Sequence, residues 1–317
     1  ADQGAAYFTA PNPPFGAVFT YYLADELKTG SEQRREREKA IRSEGGDVPF
    51  PGYQTLREES REAEPKIVFT ITNESGDVVR RITGPTEKGF HRVAWDLRYP
   101  SFEPIKVNQG GFVAPWERPS SGPLALPGRY TVSAAKLVNG EMTSLGGAQS
   151  FGVVPLDGET LPIADRQEVL SFQQDTSDLL RTARGAQKRI DELKDRIAHM
   201  EEAALQTPGV EAESLQDLRT ISVSLSQLSD QLGGDSARRK LSEPASPGII
   251  RRLTRIVRGH WNSTYGPTET NRRNFEIAKE AFAAVREDLR QVENEMIRVE
   301  GALESAGAPW TPQRRIP

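Results

Sequence analysis

Cysteine is absent from all 317 residues, which removes disulfide staples, thiolate nucleophiles and sulfur-rich zinc sites together. That absence suits a periplasmic or extracellular chain as well as a cytosolic one. Histidine is nearly as scarce. His91, His199 and His260 are the three, expected on a strand, a long helix and a loop, and no two stand at a ligand spacing. No metal site and no cofactor is expected. Phosphate-cradling glycine patterns are missing too, so Gly146-Gly147 and Gly233-Gly234 read as turns. No apolar run approaches the roughly 20 residues that span a bilayer. The start, Ala1-Asp2-Gln3-Gly4, has neither the basic nor the apolar part of a signal peptide. A chain that opens without Met amid structured sequence reads as a processed or excised piece.

Helical periodicity is abundant. Apolar residues fall at Phe275, Ala278, Phe282, Val285, Leu289, Val292, Met296, Val299 and Leu303, in alternating steps of three and four that keep one stripe on one side of a helix. Gly307 and Pro309 mark its end. Val169, Phe172, Thr176, Leu179, Ala183, Ala186, Ile190, Leu193, Ile197, Met200 and Ala204 repeat the alternation, as do Leu218, Ile221, Leu225, Leu228 and Leu232. Three stripes that need one another predict an antiparallel three-helix bundle over 163–306, with turns near Thr207-Pro208-Gly209 and after Gly233-Gly234.

The first half has the period of strands. Ala17–Leu23, Lys66–Thr72, Val78–Thr83, Gly89–Leu97, Gly128–Ala134 and Phe151–Val154 are separated by turn chemistry, with a tight hairpin at Asn139-Gly140. Ile67, Phe69 and Ile71 share one face, as do Val93 and Trp95. Such short strands predict a β-sandwich over 1–157. Between 24 and 64 the composition turns to charge with hardly an apolar face, which predicts an exposed insertion of two short helices. The fold class is therefore α+β in two domains, with 307–317 as an extended tail.

Chemistry is less plainly written. Glycoside hydrolysis needs two carboxylates roughly 5 to 9.5 Å apart, and among 45 Asp and Glu some pair meets that distance by chance. Asp96 beside Trp95 is the one to inspect, but an Asp ending a strand is commonly a turn former. No catalytic residue is assigned. The binding signal is basic. The net charge is −4, yet Ser236–Arg273 holds nine Lys and Arg against Glu243 and Glu269, or +7, leaving −11 elsewhere. A short amphipathic helix is expected in this insert (236–267), with Ile250, Leu253 and Val257 on one face and Arg251, Arg255 and Arg258 on another, Arg252 alongside and Trp261 following. These residues suit an acidic protein surface, anionic lipid heads or nucleic acid. Alternatively they pair with acids on the long helices, such as Glu201, Glu202, Glu211 and Glu213. A second candidate surface is the Pro/Gly loop with Phe112 and Trp116, where the Trp either caps the sandwich core or anchors a partner.

Several stretches together resemble a bacterial arrangement: Phe8-Thr9-Ala10-Pro11-Asn12-Pro13-Pro14-Phe15-Gly16-Ala17, Gly89–Leu97 with its Trp95-Asp96 pair, Pro127-Gly128-Arg129-Tyr130, and Gly307-Ala308-Pro309-Trp310-Thr311-Pro312. The combination is similar to the C-terminal part of large secreted proteins described as sortilin-like or BNR-repeat glycosyl-hydrolase-like. The resemblance implies an immunoglobulin or fibronectin type III-like domain followed by a helical tail, in a periplasmic or extracellular bacterial protein. The β-propeller of that family and its Ser-x-Asp-x-Gly-x-x-Trp repeat are missing from this sequence, so glycosidase activity would belong to that other part. The expectation is a non-catalytic docking module, an extrinsic subunit that binds a protein partner such as an integral-membrane complex. Completion of a propeller enzyme and an anionic-lipid binder are the alternatives. Nucleic acid ranks last, because the chain as a whole is acidic.

Overall fold

A computed structural model describes residues 12–105, 107, 120–155, 165–261, 263 and 265–314. The chain divides into two compact units, Ala1–Pro100 with Leu124–Gly158, and Ser101–Pro123 with Glu159–Pro317. Of the stretch 101–123, the described residues 101–105, 107 and 120–123 group with the helices, where the expected 1–157 domain groups them with the strands. The physical reason is Phe102, which packs edge-on against Trp261 at 5.2 Å under the guanidinium of Arg184.

The first unit carries seven described strands: β1 (Ala17–Leu23), β2 (Lys66–Thr72), β3 (Val78–Gly84), β4 (Gly89–Trp95), β5 (Gly128–Val138), β6 (Glu141–Ser144) and β7 (Gln149–Val153). β1 and β4 pair antiparallel from Ala17↔Trp95 to Leu23↔Gly89. The second sheet runs β3-β2-β5-β6, with β7 also on β5. Asn139 and Gly140 both take positive φ, 49° and 86°, the geometry a two-residue hairpin requires. Ile67, Phe69 and Ile71 point into the core together with Trp95, Tyr130 and Val132. Trp95 is fully buried, lies edge-on to Tyr130 at 5.2 Å, and donates its indole N–H to Arg98 O at 3.0 Å. Tyr130 donates to Leu126 O at 2.7 Å, and burial pushes its phenol up to about 12.

Two helices fill the charged insertion, α1 (Gly30–Ser43) and α2 (Tyr53–Glu59), and neither buries a residue. Thr29 and Glu32 form a capping box on α1. Arg34 grips both carboxylate oxygens of Glu59, at 2.7 and 2.8 Å, holding Glu59 below the usual carboxylate range. Ion pairing thus substitutes here for the apolar face that the sequence lacks.

The second unit is helical: α3 (Arg166–Leu205), α4 (Ala212–Gly233), α5 (Ser236–Lys240), α6 (Ile249–His260) and α7 (Glu269–Ser305). Every stripe position from Ala278 to Leu303 on α7 is buried, and so are all five on α4. Ion pairs Glu168–Arg272, Arg189–Glu293 and Arg196–Glu300 each join residues 104 apart, so α3 and α7 run parallel in constant register. α4 runs against them. Asp217 near its start meets Arg298 of α7 at 2.7 Å, while Ser229 near its end accepts from Gln187 of α3 at 3.0 Å. α6 shares this core: Ile249, Leu253 and Ile256 belong to the same apolar cluster as the long helices. The basic insert is therefore built into the unit.

The end of α7 is a Schellman turn. Gly307 sits at φ 72°, Gly307 N–H donates to Glu304 O at 3.0 Å and Ala308 N–H to Leu303 O at 2.9 Å. The described part of the expected extended tail instead folds back. Arg314 is buried and donates to Ala308 O and Pro309 O at 3.1 and 3.0 Å.

Candidate functional site: an arginine-lined cleft

α6 follows from its own sequence. Buried residues recur at Ile249, Leu253, Ile256 and His260, steps of four, three and four that set one face inward. Arg251, Arg255 and Arg258 follow at the same spacing two positions on and are exposed. The inward face is thus turned slightly from the expected Ile250, Leu253 and Val257, of which Ile250 and Val257 are half-buried. Arg252 points along the boundary and donates to Asn274 Oδ1 at 2.9 Å, which ties α6 to the first turns of α7.

The chain reaches α6 through a reversal at the end of α4. Gly234 takes φ 93°, Asp235 caps α5 by accepting from the N–H groups of Ala237 and Arg238, both at 3.0 Å, and the loop through Ala245 and Pro247 returns to Gly248. The return is tight. A Cβ on Gly248 would lie 2.4 Å from Gly234 N and 2.7 Å from Leu232 O, so only glycine lets the start of α6 touch the end of α4.

These elements border an open groove of about 620 Å³ lined by Arg239, Arg251, Arg252, Arg255 and Arg258, with Ala245, Pro247 and Ile250 as apolar lining. A second concavity of about 170 Å³ shares Gly233, Arg239, Ala245, Pro247 and Arg251 with it, and adds Asp235 and Glu243. The two adjoin as one cleft, whose smaller part mixes Arg239 and Arg251 with Asp235 and Glu243. Among the described residues no carboxylate stands within ion-pair distance of Arg239, Arg251, Arg255 or Arg258; Asp235 faces Arg238 instead, at 3.6 Å. The acids on the long helices are elsewhere, and Glu202, for one, accepts from Gln206 at 2.7 Å. The reading in which these arginines are internally paired is therefore corrected.

The chemistry of such a lining is narrow. Guanidinium groups stay protonated and offer only donors, in a fork that matches carboxylate or phosphate oxygens two at a time. The larger groove has no Asp, Glu, His, Lys or Cys in its described lining, so nothing there exchanges a proton near neutral pH. Anion binding is what it can do.

The remaining sequence-predicted residues do not join the cleft. Trp261 is 5% exposed and spends its ring on Phe102 in the core, which removes it from the surface. Phe112 and Trp116 lie outside the described residues. His260 ends α6 and is buried, not in a loop: Gln173 Nε2 donates to its backbone O at 3.3 Å, and its Nε2 lies 3.0 Å from Tyr265 O. Burial pulls its imidazole below the ordinary histidine value. His91 bonds Glu87 O and His199 bonds Asp195 O, and no cluster of metal-ligating side chains occurs among the described residues. Asp96 accepts from Arg98 N–H at 3.1 Å and forms a turn. Periodicity does not single out Arg239 or Asn274 as part of a site; the glycines at 233, 234 and 248, which fold the loop back, are the signal that points to them.

No protein-family model matches the chain, and no curated protein or solved structure matches it.

Proposed function

We propose that the protein is a non-catalytic docking module of an exported bacterial assembly, and that its helical unit binds an acidic surface on a protein partner through Arg251, Arg255 and Arg258. The observation that carries this reading is the absence, among the described residues, of any carboxylate within ion-pair distance of these arginines. Three guanidiniums at helical spacing repel one another, by roughly 0.7 kcal/mol per neighbouring pair about 6 Å apart in a water-like dielectric. A carboxylate surface relieves that repulsion and adds charge-assisted hydrogen bonds. In this reading the first unit is an immunoglobulin or fibronectin type III-like sandwich and the second a three-helix bundle carrying α6, the arrangement found behind the propeller in sortilin-like secreted proteins. A peripheral subunit on a membrane complex fits, since no described helix is long and apolar enough to cross a membrane.

The test is gentle purification from the native source, with mass spectrometry of what co-purifies. The expected result is a protein partner at fixed ratio, lost when Arg251, Arg255 and Arg258 are changed to Glu, and weakened steeply by salt. Retention of the partner by that triple variant refutes the docking face. So does finding the sequence only as the tail of a longer chain with a propeller whose activity needs it.

A further inference from the structure

The cleft is longer than a compact anion needs, and its two chemistries lie side by side. Arg251 and Arg255 are one helical turn apart, about 6 Å along the axis. In an extended peptide, alternate residues stand about 6.6 Å apart on one face. Carboxylates at positions i and i+2 of an extended segment therefore meet Arg251 and Arg255 in turn, while the side chain between them points to the opposite side. Apolar lining is at hand, since Ala245, Pro247 and Ile250 border the same groove as the guanidiniums.

Charge and shape favour a peptide in this groove. A nucleic acid brings a continuous line of phosphates towards a chain that is net negative; a peptide brings its charge only where the arginines are. A flat bilayer surface does not enter a concavity.

We propose that this cleft seats an extended segment of a partner protein in which Asp or Glu residues alternate with apolar ones, Arg251 and Arg255 each taking one carboxylate and Ala245, Pro247 and Ile250 covering the apolar side chain between. The proposal rests on the docking reading above and names the form of the partner's contact.

The experiment uses the full chain and a fluorescein-labelled nonapeptide alternating Asp and Leu, followed by anisotropy at low and physiological salt. Arg251→Ala and Arg255→Ala are each expected to weaken binding roughly 10- to 100-fold, the loss of one charge-assisted contact. Arg286→Ala, an exposed arginine on α7, is expected to leave binding unchanged. Replacing Asp by Asn in the peptide abolishes binding, and replacing Leu by Ser weakens it several-fold. Equal affinity for a peptide with its acids adjacent, or indifference to Leu→Ser, overturns the alternating-segment inference and leaves the docking face standing. The inference falls in the same way if no peptide binds while the triple Glu variant still loses its native partner. If that variant keeps its partner, both readings fall. Arginine-dependent binding to vesicles rich in anionic phospholipid, without peptide binding, overturns the inference in favour of a lipid surface.

Discussion

Gly248→Ala tests the close approach that shapes the cleft, because backbone entropy and packing there act with opposite sign. Gly248 has φ −64° and ψ 168°, a conformation any residue adopts, and it precedes a helix. On backbone entropy alone, alanine there stabilises by about 0.4–1 kcal/mol. Its Cβ, however, would meet Gly234 N at 2.4 Å, Gly233 C at 2.7 Å and Leu232 O at 2.7 Å. All three are backbone atoms at the end of a packed helix, whose Leu232 side chain is fully buried. None can swing aside as a side-chain tip would. Relief requires α6 to move away from α4, with overpacking strain of about 1–3 kcal/mol. The expected outcome is net destabilisation by about 1–2 kcal/mol in urea unfolding followed by far-ultraviolet circular dichroism. A weaker affinity for the acidic peptide should accompany it, because Gly233 and Pro247 line the cleft. The control is Gly185→Ala in the middle of α3, where a Cβ meets nothing within 4 Å. It should stabilise by about 0.5–1 kcal/mol. If Gly248→Ala stabilises as Gly185→Ala does, the close approach that shapes the cleft is wrong.

Two further outcomes are expected. Trp95→Ala removes a fully buried ring between Tyr130 and Phe151 and should cost about 3–5 kcal/mol, read by near-ultraviolet circular dichroism, while peptide affinity of the still-folded helical unit changes less than about twofold. His260 gives a pH dependence. Burial holds its folded-state value down, opposed less strongly by the Tyr265 carbonyl, with Arg272 of α7 lowering it and the Gly266 carbonyl raising it more weakly still, so between that lowered value and the unfolded value of about 6.5 the unfolded chain binds more protons than the folded one. Stability contributed here is complete above pH of about 6.5, falls as the pH drops through that window, and then levels off. His260→Gln should flatten this slope in urea midpoints measured across the range; an unchanged slope sinks the assignment.

Much of the fold is legible in the sequence because it is periodic. The stripe from Ala278 to Leu303 is the buried face of α7 residue for residue, and Ile67, Phe69 and Ile71 are all buried on β2, where Val68 between them is buried as well. On α3 the expected Leu179 is only half-buried and Leu180 is fully buried instead, since this helix packs against α4, α6 and α7 and its apolar face is wider than one seam. The charged insertion is legible for the opposite reason: with no apolar face, α1 and α2 cannot enter a core. His260 and Trp261, judged by polarity and by their position after Gly259, look like loop residues, and that impression misleads. The steps Ile249, Leu253, Ile256 continue by four to His260, and that period alone puts the imidazole inside. Phe102 gives no local signal, because one aromatic in a Pro/Gly loop finds its core only through the tertiary fold.

The spacing of Arg251, Arg255 and Arg258 is legible, yet spacing cannot distinguish a binding row from a neutralised one. That distinction depends on which acids the fold brings near. With 45 Asp and Glu against 41 Lys and Arg, the chain has enough carboxylates to cover every arginine. It places Asp235, a close neighbour in sequence, where its Oδ1 caps α5 and its other oxygen faces Arg238. Meanwhile Arg189, Arg272 and Arg298 each receive a partner across helices. Pairing thus recurs across this unit and is withheld, among the described residues, beside the concavity that a glycine contact holds in shape. An exposed ion pair contributes only about 0–1 kcal/mol, so stability loses little by leaving these arginines open. In the proposed docking, an acidic partner would meet three preplaced guanidiniums on one helix.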